Sequence, residues 1–83
     1  MKAEITKNSI SEAILDCISD ELKIPKDQID VTSEFINLGI DSIQGVLIIK
    51  SVEEKLGIII NPVLFFDYPT VEKLSEYIAQ TKL

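Results

Sequence analysis

The chain has 83 residues, 46% of them hydrophobic and 27% charged, enough for one small core and too few for a second. Eight lysines, no arginine and fourteen Asp plus Glu give a net charge of −6, which argues against a nucleic-acid partner and against an anionic membrane surface. With no histidine and one cysteine, the sequence excludes a Ser-His or Cys-His nucleophile pair, a zinc site of the usual ligands and an internal disulfide.

The longest apolar runs, Val46-Leu47-Ile48-Ile49 and Val63-Leu64-Phe65-Phe66, are far short of the roughly 20 residues that a membrane span requires. The first residues, Met1-Lys2-Ala3-Glu4, lack the apolar stretch of a signal peptide. A single thiol suits a reducing compartment. The expectation is one domain over 1–83, structured from about 9 to 80 and frayed over 1–8 and 81–83. It is expected to be monomeric and cytoplasmic, with no catalysis of its own.

Ser9-Ile10-Ser11-Glu12 reads as a capping box for a first helix over about 9–23. Ile10, Ala13, Ile14, Cys17, Ile18 and Leu22 fall on one apolar stripe, with Glu12, Asp16, Asp20 and Glu21 largely outside it. Pro25 stops the helix. Residues 25–40 lack sustained periodicity and are rich in turn formers, yet they carry Ile29, Val31, Phe35 and Leu38. This predicts a long loop packed onto the body, and long loops in small domains usually have a function.

A second helix is predicted from Asp41, its N-cap, to Leu56, with Gly57 as the stop. At 100° per residue, Gly45, Val46, Ile48, Ile49, Val52 and Leu56 share the core arc. Ile43 and Leu47 fall on the wet arc, one turn apart. Ile58-Ile59-Ile60 has the composition of a strand but no partner, so a buried connector is expected. Asn61-Pro62 opens a short helix over 63–66, ended by Asp67-Tyr68-Pro69. Thr70 caps a last helix to about Gln80, with Val71, Leu74, Tyr77 and Ile78 facing inward. The predicted fold is all-α: a small four-helix bundle, three longer helices and one short, with a long loop between the first two.

Leu38-Gly39-Ile40-Asp41-Ser42-Ile43 is the segment with chemical potential. A glycine permits a sharp turn, and Ser42 then stands at a helix N-terminus, where free amides and the helix dipole favour a negative group such as a phosphate. Without a base its hydroxyl is a poor nucleophile, so chemistry at Ser42 has to be done by another enzyme. By themselves these residues are also ordinary capping vocabulary.

Three pieces carry a wider resemblance. Phe35-x-x-Leu38-Gly39-x-Asp41-Ser42-Ile43, Val52-Glu53-x-x-x-Gly57-Ile58 and Leu64-Phe65-x-x-Tyr68-Pro69-Thr70-Val71-x-x-Leu74 occur in this order and spacing. Over about residues 9–80 the chain resembles the acyl and peptidyl carrier proteins. The resemblance implies a carrier-protein four-helix bundle and a 4′-phosphopantetheine arm on Ser42, attached from coenzyme A by a phosphopantetheinyl transferase. The arm's thiol, not Cys17, would hold acyl groups as thioesters. Asp41 matches the acidic residue that aids the transferase in holding Mg²⁺, whose preference for carboxylate and phosphate oxygens suits that role. Partners would be an acyltransferase, a ketosynthase and other biosynthetic enzymes.

Leu38-Gly39-Ile40-Asp41-Ser42 and Asp67-Tyr68-Pro69-Thr70-Val71 look most like polyketide-synthase carriers. A stand-alone fatty acid carrier or a peptidyl carrier is the alternative within the family. An unmodified helical interaction domain is the alternative outside it. Ile40, Ile43, Gln44 and Leu47 are the candidate docking residues. Many fatty acid carriers show an acid where Leu47 stands, so contact here is expected to be more apolar. Asp27, Asp30, Glu34 and Asp41 are read as a solvated loop or as a surface steering a basic partner. Cys17 is read as a buried core thiol, Gly45 as a packing position, and Phe65, Phe66 and Tyr68 as core.

Overall fold

The computed structural model describes residues 5–82. The predicted fraying over 1–4 and at 83 lies outside the described residues, whereas 7, 8, 81 and 82 are helical. Four α-helices follow one another: α1 (Lys7–Leu22), α2 (Ser42–Leu56), α3 (Leu64–Asp67) and α4 (Val71–Lys82). No strand occurs among the described residues. An isolated antiparallel bridge joins Glu34 to Thr70.

α1 starts two residues before the predicted position, because a different hydroxyl caps it. Thr6, extended at φ −123° and ψ 168°, accepts the Ser9 amide on Oγ1 at 3.1 Å. Ser9 Oγ in turn accepts the Thr6 amide at 2.8 Å. Ser9 is therefore the third residue of the helix rather than its cap, and Glu12 reaches outward to Lys26 at 2.7 Å. The helix ends at Leu22, one residue early, with Lys23 left-handed at φ 60° and its amide on Ser19 O. Ser19 Oγ donates to Ile24 O at 2.5 Å, and Pro25 follows.

The predicted stripe is buried at Ile10, Ala13, Ile14, Cys17 and Ile18, and Leu15 widens it. Ile10, Ile14 and Ile18 have no solvent contact, and each such side chain contributes about 1.5–3 kcal/mol. They pack with Ile48, Ile49 and Val52 of α2 and with Val71, Leu74 and Ile78 of α4 in one core. Burial pushes the Cys17 thiol up to about 11, with Asp16 and Asp20 adding to the rise and Lys55 opposing it.

Residues 23–41, between α1 and α2, are ordered by specific ties. Two 3₁₀ turns, Lys26–Gln28 and Phe35–Leu38, supply local structure that periodicity does not predict. The Lys26 ammonium lies 2.7 Å from both Asp16 and Glu12, binding the first turn to α1. Those hydrogen bonds, Asp16 first, raise its pKa. Asp30 Oδ1 accepts the hydroxyl (2.7 Å) and amide (2.8 Å) of Thr32, which lowers the Asp30 pKa. The Phe35 amide donates to Pro69 O at 2.8 Å, and the Glu72 amide to Val31 O at 3.0 Å. The loop is thereby fastened to the approach to α4, and Ile29, Phe35 and Ile40 enter the core.

α2 runs as predicted from its Asp41 cap to Gly57, which closes it at φ 68°. Ile58–Ile60 is a connector, but only Ile60 is fully buried; its amide donates to Glu53 Oε2 at 2.6 Å, and Ile59 points to solvent. Asn61 precedes α3 as expected, its Oδ1 accepting the Val63 amide at 3.0 Å, while the helix itself begins at Leu64. Thr70 Oγ1 accepts the Lys73 amide at 3.0 Å and so caps α4. No described helix is long and apolar enough to cross a membrane.

Candidate functional site

Asp41 and Ser42 stand where α2 begins. Gly39, left-handed at φ 87°, reverses the chain after the second 3₁₀ turn, a conformation that favours glycine. Ile40 then enters the core, and Asp41, extended at ψ 178°, turns the chain into the helix. Asp41 Oδ1 accepts the Gln44 amide at 2.8 Å, and Gln44 Oε1 accepts the Asp41 amide at 3.1 Å. This reciprocal cap holds one carboxylate oxygen over the first turn and leaves the carboxyl group solvent-exposed. Ser42, the first helical residue, is exposed, and the first turn behind it carries no acidic side chain.

The Ser42 side opens on a groove of about 550 Å³. Asp41, Ser42 and Gly39 form its polar mouth, while Phe35, Ile36, Ile40, Phe65, Phe66 and Pro69 form its apolar walls. The floor is aromatic: the Phe35 and Phe65 rings stack at 3.9 Å and 9°, and Phe66 meets Phe65 edge-on at 5.8 Å and 79°. A helix N-terminus beside an apolar groove can hold a ligand with an anionic head and a greasy body.

Two of the four candidate docking residues keep their reading. Ile43 (74% exposed) and Leu47 (50%) stand in solvent on α2, as the wheel predicts. Ile40, read as a docking residue, is 5% exposed and cannot reach a partner; the turn at Gly39 sends it inward. Gln44 is half-buried with its carboxamide oxygen held in the cap, which limits its use as a docking group. Val46, assigned to the core arc, is exposed, because α2 is rotated so that Gly45, Ile48, Ile49 and Val52 alone are fully buried.

Phe66, read as core, is half-exposed because α3 is only one turn long and Phe65 takes its single buried position. Ile36, 74% exposed, lines the groove, and the sequence does not mark it. It lies in the aperiodic loop, where no hydrophobic period separates an inward isoleucine from an outward one.

The chain matches the model of the family described as "Phosphopantetheine attachment site" over residues 12–78. It is similar to 6-methylsalicylic acid synthase of Penicillium terrestre, with 38% identity over 64 residues, 77% of this chain and 4% of that protein. It is also similar to a phenolphthiocerol/phthiocerol polyketide synthase of Mycobacterium tuberculosis, with 28% identity over 80 residues, 96% of this chain and 4% of that protein. The chain thus spans 4% of the length of these curated relatives. Among solved structures it resembles a free-standing peptidyl carrier protein from Acinetobacter baumannii. The TM-score is 0.87 and the identity 26%, covering 96% of this chain and all of the other.

Proposed function

The chain belongs to the phosphopantetheine-attachment family of carrier domains, and we propose that Ser42 is its attachment point. Members of this family carry a covalent 4′-phosphopantetheine group, and the observation that supports Ser42 as its site is geometric. A primary hydroxyl stands exposed on the first turn of a helix, at the mouth of a groove with an apolar interior. The residues present fit the group: the helix N-terminus accommodates its phosphodiester charge, and the first turn has no acidic side chain to oppose it. When bound, the group supplies a terminal thiol that holds acyl cargo as a thioester.

The chain's own part is to present, not to catalyse. Ser42 has no histidine anywhere in the sequence to take its proton, so the hydroxyl is activated by a separate phosphopantetheinyl transferase drawing on coenzyme A. Asp41 has a carboxylate exposed beside Ser42, suited to help that transferase hold Mg²⁺. Its cap to Gln44 fixes the start of α2 and with it the direction in which Ser42 points. Ile43 and Leu47, exposed one turn apart on α2, form an apolar contact for successive partner enzymes. Such contacts are small and weak, so that each partner releases the carrier.

The relatives named as polyketide synthases favour an acyl carrier in polyketide assembly, served by acyltransferase and ketosynthase partners, as a monomer in the cytoplasm. The likeness to a free-standing peptidyl carrier keeps an aminoacyl cargo as the second reading. The deciding experiment is intact mass after incubation with coenzyme A, Mg²⁺ and a broad-specificity transferase. One added phosphopantetheine, absent in Ser42→Ala, is the expected result. An unchanged wild-type mass overturns the proposal and favours an unmodified interaction domain.

A further inference from the structure

We propose that the groove beside Ser42 binds the tether itself. The branched segment of the phosphopantetheine arm, a quaternary carbon with two methyl groups one methylene beyond the phosphate, rests against the Phe35–Phe65 floor. This inference rests on Ser42 being the attachment point.

Reach comes first. Ser42 itself lines the groove, so a group tethered there meets the apolar walls within its first few bonds. The order of chemical groups matches as well. The arm begins with an anion and continues with the methyl-bearing carbon. The protein begins with a helix N-terminus and continues with Ile36, Phe66 and Pro69. The polar amide-bearing remainder of the arm lies farther along and can extend into water.

The floor is closed from beneath. Phe65 is 3% exposed, stacks on Phe35 and presses on α2 at Gly45, where an added Cβ would lie 2.8 Å from its ring. An occupant is therefore held on the surface, where a partner can lift it out, and is not drawn between α2 and α3. The rim offers the driving force. Ile36 and Phe66 are 74% and 50% exposed, and covering them with methyl groups removes apolar surface from water on both sides.

The aromatic floor provides its own readout. Methyl groups above stacked rings are shifted upfield by ring currents. The protein is loaded with phosphopantetheine labelled with ¹³C in the two methyl groups, and loading is confirmed by intact mass. The expected result is two inequivalent methyl signals, both upfield of free phosphopantetheine, with nuclear Overhauser contacts to Ile36 and Phe66. In fully loaded Phe66→Ala and Ile36→Ser, both exposed positions, the upfield shift shrinks and those contacts are lost.

Methyl signals at the free positions without contacts in loaded wild-type protein overturn the groove assignment and leave attachment at Ser42 intact. A shift unmoved by both substitutions overturns it equally. Failure of the mass to increase removes the attachment reading, and this one with it.

Discussion

Phe65 lies so close over Gly45 that a methyl group at position 45 would stand 2.8 Å from ring atoms Cδ2 and Cε2. The absence of a side chain at 45 is what lets α3 sit down on α2 and lets Phe65 meet Phe35. That stack is the floor of the groove beside Ser42. One missing Cβ in α2 is thus linked, through a single ring, to the shape of the site.

Gly45→Ala is expected to destabilise the domain by about 1 kcal/mol. Alanine gains about 1 kcal/mol of helix propensity over glycine. Forcing a buried, stacked ring aside costs about 1–3 kcal/mol, because Phe65 has no solvent to move into. Chemical denaturation of the single variant and of Gly45→Ala/Phe65→Leu checks this. The double variant should recover part of the loss relative to the sum of the singles, since the two positions share one contact. Strict additivity would contradict the close packing.

Much of this architecture was legible because it rests on local rules. The α1 stripe, the Asp41 cap, the Gly57 stop and the Thr70 cap each depend on residues within a turn of one another. What was not legible depended on distant partners. Thr6 rather than Ser9 caps α1, and nothing within the segment Ser9–Glu12 announces that Glu12 is drawn to Lys26. The loop's order comes from bonds such as Phe35 N to Pro69 O, across more than thirty residues of sequence. Around Ser42 the motif is visible at once, but the groove is not. It requires Phe66 to lie outside and Ile40 inside, the reverse of what the sequence suggests for each. A one-turn helix and an αL glycine set those directions, and hydrophobicity by itself carries no sign for them.

Asp41 has two separable roles, and two substitutions part them. Asp41→Asn keeps an acceptor for the Gln44 amide, so stability should change by only a few tenths of a kcal/mol. The rate of phosphopantetheine loading should fall nonetheless, because the carboxylate charge is gone. Asp41→Ala loses the cap as well and should cost about 1 kcal/mol. Thermal melts alongside loading rates test both. Equal loading by wild type and Asp41→Asn would confine Asp41 to capping.

Leu47→Glu is expected to leave stability within about 0.5 kcal/mol, since the side chain is half in solvent and fills no cavity. Transfer of cargo to partner enzymes should slow, through a raised KM more than a lowered kcat, because docking and not chemistry is affected. Lys50→Glu, on the same helix and also exposed, serves as the control for added charge. If both variants slow transfer alike, repulsion on the acidic surface and not an apolar anchor explains the effect.

The two thiols of the loaded protein should separate cleanly by pH. Burial holds Cys17 at about 11, above the ordinary range for a thiol. A thiol whose pKa is raised by folding stabilises the native state fully below the unfolded value, about 8.5. That contribution is lost as pH climbs from there through about 11, because the unfolded chain releases the proton first. Stability measured from pH 7 to 10 should therefore decline, and Cys17→Ala should show a smaller decline over this range. At pH 8 an alkylating reagent should modify the tethered thiol rapidly and Cys17 slowly, with Cys17 reacting at ordinary rates in denaturant. Peptide mapping distinguishes the two sites. Rapid native alkylation of Cys17 would show that α1 and α2 part often enough to admit the reagent, and the sealed core described between Ile14, Ile18 and Ile48 would not hold on that timescale.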